Sequence, residues 1–196
     1  MMSKSQNAEG VNSFNGNWDD LTCFQWEMRN GIHLENEAFV NLYKGTAKTI
    51  NELIPFEKFT DLGGGVGAYS KAMRDLGKEV HYYDANIHHH DYAFARKVAN
   101  RYYYGDFSKM TIEGDLLAMI EVAEHIEDEK LIPFLTNVKC NYFHFSSTPH
   151  VNKMDKDWGH INIKQEQEWI DLFTSCGFKF MQKVQLPTYW SLLFTK

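Results

Sequence analysis

Phe59-Thr60-Asp61-Leu62-Gly63-Gly64-Gly65-Val66-Gly67-Ala68-Tyr69-Ser70 is the stretch from which the rest of this sequence is read. It begins as a short buried strand, bends through a glycine turn and continues as a helix expected from about Ala68 to Leu76. Gly63, Gly65 and Gly67 alternate, so the backbone can turn sharply and admit a ligand closer than any Cβ would allow. The helix carries Ala68, Ala72, Met73 and Leu76 on one face, and Gly77 supplies a C′ stop. Its N-terminal amides point back into the turn, which suits a carboxylate or another electron-rich group. Several cofactors use such a turn, so its neighbours must decide.

Upstream, Phe39, Tyr43, Ala47, Ile50 and Ile54 recur at helical spacing until Pro55, so a helix feeds the first strand. Downstream, Glu79 to Tyr83 reads as a second strand ending at Asp84, 21 positions after Gly63. A doubly wound fold puts there the carboxylate that accepts hydrogen bonds from ribose hydroxyls. Arg101 to Phe107 reads as a third strand, with Asp106 on a Gly-Asp pairing that alone would be an ordinary turn. Leu116 to Ile120 is an apolar run of buried-strand length and ends in Glu121-Val122-Ala123-Glu124-His125-Ile126. Asp128 is expected to cap a helix that turns Leu131, Phe134, Leu135 and Val138 inward, with Pro133 in its first turns. Tyr142 to Ser146 is a fifth strand. After a polar loop over 151–164 come an amphipathic helix through Trp169, Leu172, Phe173 and Cys176, closed by Gly177, and two strands, Phe178 to Val184 and Trp190 to Phe194, joined through Pro187.

Two further stretches carry expectations. His88-His89-His90-Asp91 reads as a solvated loop opening a short helix from Tyr92 to Asn100, since adjacent side chains diverge and do not readily share one ion. Its nearness to Asp84 leaves a minor role beside the ribose or adenine. Residues 1 to about 16 are polar and expected to be loose, whereas Trp18 to Arg29 hold a dense apolar cluster. The preferred reading of that cluster is a helix packed on the sheet edge; the alternative is a lid.

The chain as a whole bounds the answer. Its 196 residues suit one domain and are too few for a nucleotide domain plus a separate substrate domain. Aromatic residues reach 15%, which fits a dense core or an aromatic-lined pocket. The net charge of −6 argues against broad attraction to nucleic acid or an anionic membrane. Cys23, Cys140 and Cys176 are an odd number without metal-ligand spacing, and no signal peptide or spanning run is visible, so a reducing, cytoplasmic setting is expected.

Asp61-x-Gly63-x-Gly65-x-Gly67 resembles the first motif of class I S-adenosylmethionine-dependent methyltransferases. Glu121-x-x-Glu124-His125 resembles the fourth motif of members with Glu-x-x-Glu-His. The resemblance covers roughly residues 39–196, with the elements in family order. It implies a doubly wound, Rossmann-like α/β fold with a seven-stranded sheet in the order 3-2-1-4-5-7-6, strand 7 antiparallel. Residues 39–196 would form the S-adenosylmethionine-binding methyltransferase domain and residues 1–38 an N-terminal extension. The resemblance also implies that Asp61, beside Gly63, Gly65 and Gly67, places the methionine end of the cofactor. Asp106 would accept the adenine amino group, Phe107 would pack on the ring, and Asp84 and Glu121 would complete the cofactor site. The cofactor is then S-adenosylmethionine and the product S-adenosylhomocysteine.

Methyl transfer needs an acceptor lone pair in line with the methyl carbon, and orientation can supply much of the rate. An oxygen acceptor gains further from a base or a cation. His125 is the candidate base or acceptor-orienting group, with Glu124 beside it. Glu121, Glu124, His125 and His160 would also suit a divalent ion, as in two branches this sequence resembles, the small-RNA terminal 2′-O-methyltransferases and the ubiquinone-pathway O-methyltransferases. His150 competes as a fourth ligand. The metal-free version is preferred, because many family members use Glu-His at this position without metal. The acidic charge disfavours RNA, and no apolar membrane-touching segment is visible. A small soluble hydroxylated acceptor, such as a sugar, is the default. Two other classes stay open: a non-catalytic S-adenosylmethionine-binding partner or regulatory module, and a small NAD-binding protein.

Overall fold

Alternation along the strands sets the architecture. On the fourth strand Leu116 and Ala118 join one apolar cluster while Leu117 and Met119 join another, so the sheet is covered on both faces. The computed structural model describes residues 13, 15–149, 154–184 and 190–196. In chain order the elements are α1 (Asp20–Arg29), α2 (Glu37–Leu53), β1 (Lys58–Leu62), α3 (Ala68–Asp75), β2 (Glu79–Asp84), α4 (Ile87–Ala95) and β3 (Arg101–Tyr104). They continue with β4 (Glu113–Ile120), α5 (Asp128–Asn137), β5 (Lys139–Ser146), a short α6 (Asp155–Trp158), α7 (Glu166–Ser175), β6 (Lys179–Val184) and β7 (Ser191–Thr195).

The strands form one seven-stranded sheet in the order β3-β2-β1-β4-β5-β7-β6. β7 runs antiparallel to both of its neighbours, β5 and β6, and the other pairings are parallel. One face packs α5 and α7 through Leu131, Phe134, Trp169 and Phe173; the other packs α2, α3 and α4 through Ala47, Ile50, Met73 and Ala93. Fully burying Leu131, Ile50 or Met73 contributes roughly 1.5–3 kcal/mol each relative to exposure. The three cysteines are free thiols. Among the described residues no helix is long and apolar enough to cross a membrane.

The expected doubly wound α/β architecture and strand order are therefore what the chain adopts. Local expectations needed correction. The histidine run is not a loop: Asn86 caps α4 through the His88 amide, and all three histidines lie in its first turns. His89 is only 2% exposed because the helix turns it inward. Asp128 lies in the first turn of α5, and Glu127 is the N-cap; Pro133 is the sixth residue of that helix. β4 begins three residues earlier than expected, at Glu113, and the 151–164 loop contains α6. Pro187 and His150 lie outside the described residues.

Candidate cofactor and acceptor site

β1, β2, β3 and β4 all end at one edge of the sheet, and there a cavity of about 900 Å³ opens. Its volume is in the range of small-molecule sites, and its place is where open α/β sheets collect ligands. The turn after β1 lines it through Gly63, Gly64 and Gly65. Gly65 has φ of +54°, and a Cβ there would enter open space. Gly64, outside the alternating pattern, is held for another reason: a Cβ would lie 2.6 Å from the Tyr82 ring and 3.0 Å from Asp61 Oδ2.

The strand-end acids surround this turn. Asp61 is buried and accepts from Ser70 Oγ at 2.6 Å. Burial pushes its carboxyl up to about 7 against the opposing Ser70 bond, with the Asp84 charge adding to the rise. Asp84 accepts the Gly65 amide at 2.8 Å and the Asn86 amide at 2.7 Å. Tyr82 donates its hydroxyl to the Gly65 carbonyl at 2.6 Å, so β2 grips both sides of that residue. Asp106 caps a 3₁₀ turn by accepting from the Ser108 amide and hydroxyl. Burial opposes its ionisation, but Ser108 and Lys109 outweigh burial and hold its carboxyl below the usual range. Phe107 is buried against Phe134, their rings 5.2 Å apart, and also lines the cavity.

Beyond β4 the chain tightens. Glu121 has φ of +56°, a left-handed conformation rare for a side chain of its size and a local strain at the cavity wall. Its carboxylate accepts from Ser146 Oγ and its amide donates to the Ser146 carbonyl at 2.9 Å. Glu124 is buried, accepts from Ser147 Oγ at 2.9 Å, and is raised well above the usual carboxylate range by burial and then by Glu121. His125 Nδ1 faces the Gly159 carbonyl at 3.3 Å, and His160 Nδ1 faces Asp155 at 3.0 Å. A carbonyl or carboxylate only accepts, so each neutral imidazole carries its proton on Nδ1 and its lone pair on Nε2. The two rings stand 4.8 Å apart. Ligand atoms of Glu124, His125 and His160 fall within 4.8 Å of one another, whereas Glu121 is outside that group.

No protein-family profile matches the sequence, and no curated protein matches it in sequence. Solved structures match the fold. Magnesium protoporphyrin IX methyltransferase from Synechocystis PCC 6803, with S-adenosylhomocysteine bound, superposes with a TM-score of 0.64 at 16% identity over 89% of this chain and 94% of that one. An S-adenosylmethionine-dependent methyltransferase from Clostridium acetobutylicum ATCC 824 gives a TM-score of 0.65 at 11% identity over 88% and 98%. CalO1, a methyltransferase of calicheamicin biosynthesis with S-adenosylhomocysteine bound, gives 0.59 at 18% identity over 89% of this chain and 60% of its own length. The fold is the Rossmann-like methyltransferase fold. In this methyltransferase fold, Asp61, Gly63, Gly65, Asp84, Asp106, Phe107, Glu121, Glu124, His125 and His160 all line one cavity. Gly67 is apart: it is the N-cap of α3, and a Cβ there would meet Val98 at 2.6 Å.

Residues from the N-terminal segment also reach the site, and the sequence offered little sign of them. Ser13, Asn15, Trp26 and Glu27 line the cavity, so α1, which packs on α4, also contributes to the cavity wall. Glu27 contacts His89 directly, and His89 Nδ1 lies 3.8 Å from Asp84. Burial disfavours the charged imidazole, but Glu27 and Asp84 outweigh it and raise His89 to about 10. The only early signal was the apolar cluster of Trp18 to Arg29, whose periodicity says nothing about where the helix docks.

Proposed function

We propose that this protein is an S-adenosylmethionine-dependent methyltransferase acting on an oxygen of a small hydroxylated acceptor. One observation carries the reading: Asp61, the Gly63–Gly65 turn, Asp84, Asp106, Phe107 and Glu121, taken from four successive strand ends, meet around a single cavity. The bound S-adenosylhomocysteine of two fold neighbours supports the choice of ligand. Bound S-adenosylmethionine supplies an electrophilic methyl group, and its sulfur keeps the electron pair of the bond that breaks. Asp61 sits beside the turn to receive the cofactor's ammonium, and Asp84 the ribose hydroxyls. Asp106 and Phe107 frame the adenine. His125 takes the acceptor's hydroxyl proton at Nε2, and the Gly159 carbonyl that faces Nδ1 steadies the imidazolium that results.

Calorimetric titration with S-adenosylmethionine, S-adenosylhomocysteine and NAD tests the cofactor. The first two should bind and NAD should not compete; preferential NAD binding would sink the reading. Asp84→Ala removes a charged hydrogen-bond partner and should weaken binding by roughly 10- to 100-fold. Tight cofactor binding without transfer to any acceptor would instead favour a regulatory module.

A second reading has one specific observation behind it. The convergence of Glu124, His125 and His160, with each Nδ1 held by an acceptor, fits a divalent ion bound through one carboxylate and two imidazoles. Such an ion would lower the pKa of an acceptor hydroxyl. The metal-free mechanism predicts full activity in excess chelator, a mild effect of His160→Ala, and a loss of about 10²–10⁴ for His125→Ala. Reversible loss of activity on chelation would replace it with the metal-assisted one.

A further inference from the structure

We propose that the acceptor is an uncharged, flat aromatic alcohol, held against an aromatic wall built by α1, α2 and the 154–160 segment. The inference rests on the methyl-transfer reading above and narrows it to one substrate class. The cavity that holds Glu124, His125 and His160 is also lined by Trp26 and Trp158, packed edge to face with centroids 5.1 Å apart. A second lining pair, Phe39 and Tyr43 on α2, packs at 5.2 Å and 67°. Ile32 and Met154 add further apolar surface to the same cavity. The wall is braced from behind. Trp18 lies 6.2 Å from Trp26 and 5.6 Å from Trp158, and the Asn17 and Trp18 amides donate to the Lys156 and Asp157 carbonyls. A flat ring gains most from such surfaces, because an aromatic group buries a large area in fixed geometry.

The charges around the cavity select against other classes. Among the described lining residues the only lysines or arginines are Lys109 and Lys130. Lys109 lies 3.3 Å from Asp106 and Lys130 lies 2.9 Å from Glu127, so both belong to the Asp106 end and already have acidic neighbours. A phosphate or carboxylate near His125 and His160 would lie beside the buried carboxyls of Glu121 and Glu124, with no lysine or arginine of the described lining at that end to bind it. This selects against nucleotides, oligonucleotides and acidic metabolites. A sugar, the default from sequence alone, carries hydroxyls all round its rim, and those enclosed by Ile32, Phe39, Met154 and the tryptophans would lose water without gaining partners. A single aromatic hydroxyl can point at His125 while the remaining ring is covered.

The test uses the full chain saturated with S-adenosylhomocysteine and three uncharged phenols, catechol, 2-naphthol and methyl 4-hydroxybenzoate. Methyl glucoside and a diribonucleotide serve as contrasts. At least one phenol should bind by calorimetry, and the contrasts should not. Trp26→Ala should weaken that phenol about tenfold, the loss of one ring contact, while S-adenosylhomocysteine affinity stays within about twofold. Phe39→Leu, on a different helix, should weaken it independently and guards against misfolding of α1. The inference is overturned if no phenol binds, if the glucoside or diribonucleotide binds better, or if neither substitution affects the phenol. Failure of S-adenosylhomocysteine to bind would be seen first, in its own titration, and would overturn the underlying reading instead.

Discussion

Adjacent glycines in the turn carry different burdens. Gly65 has positive φ and faces open space, whereas Gly64 is enclosed by Tyr82 and Asp61. Gly65→Val should therefore fold with a penalty of about 1–2 kcal/mol and lose cofactor binding, because the new side chain projects into the cavity. Gly64→Ala should instead destabilise the fold itself. Thermal melts and S-adenosylhomocysteine titrations separate the two; normal cofactor affinity in Gly65→Val would mean the cofactor lies elsewhere. Asp61 gives a pH signature. In the folded chain it keeps its proton up to about pH 7, against an ordinary value of 3.8, so between these limits the folded state binds more protons and stability falls as pH rises. The penalty is absent below the lower limit and complete above the upper, on the order of 4 kcal/mol at most. Asp61→Asn removes it, so the variant's advantage over the parent should be near zero around pH 4 and largest around pH 8. His144 runs the other way: burial holds it down to about 3, so its stabilisation is lost as pH falls below 6.5. The difference between variant and parent in urea melts isolates Asp61, and an Asp61→Asn no more stable than the parent at high pH would contradict its buried, protonated state.

At the scale of elements, the segment leading into α1 acts as a strap across the site. Besides the two amide bonds to the 156–157 carbonyls, Asn15 Nδ2 donates to the His125 carbonyl at 3.4 Å. Gly16 lies so close to α6 that a Cβ would sit 2.2 Å from the Asp157 carbonyl. Gly16→Ala should thus lift the strap, loosen Gly159 and free the His125 ring that Gly159 orients. Hydrogen exchange at the Asn17 and Trp18 amides should accelerate, and the His125 ring nitrogens should shift toward mixed tautomers in NMR spectra. Cofactor affinity, which depends on the other end of the cavity, should change little. Unaltered exchange at those two amides would show that the strap does not depend on this contact.

For the whole molecule, site and stability are separable. Phe173 stacks on Phe194 at 4.5 Å in the cluster between α7 and the sheet and does not line the cavity. Phe173→Ala should cost about 3–5 kcal/mol of stability, yet leave S-adenosylhomocysteine affinity unchanged in the fraction that remains folded. Ligand linkage gives the complement. S-adenosylhomocysteine at 100 times its Kd should add about 2.7 kcal/mol and raise Tm by roughly 5–10 °C for a chain of this size, whereas NAD should add nothing. Calorimetric melts with each ligand check both statements.

Features that depend on neighbours in the chain could be read from the sequence. The strand, turn and helix around Gly63 to Gly67 are local, and so is the acid at the end of β2. The sheet order followed from a family resemblance that these local motifs carried. Glu124 and His125 stood out together because they are adjacent to a strand end. Only the tertiary structure could decide how distant segments share space. Periodicity revealed an apolar helix in α1 but could not say that it helps to wall the cavity, since docking depends on α4 and α6 packed against it. It could not turn His89 inward, because that depends on Asn86 capping a helix one turn earlier than the histidine run suggested. Nor could it choose among Glu121, Glu124, His125 and His160. Which three converge is settled by Ser146 holding Glu121 aside, and by Gly159 and Asp155 aiming the two imidazoles, contacts that span 25, 34 and 5 residues of chain.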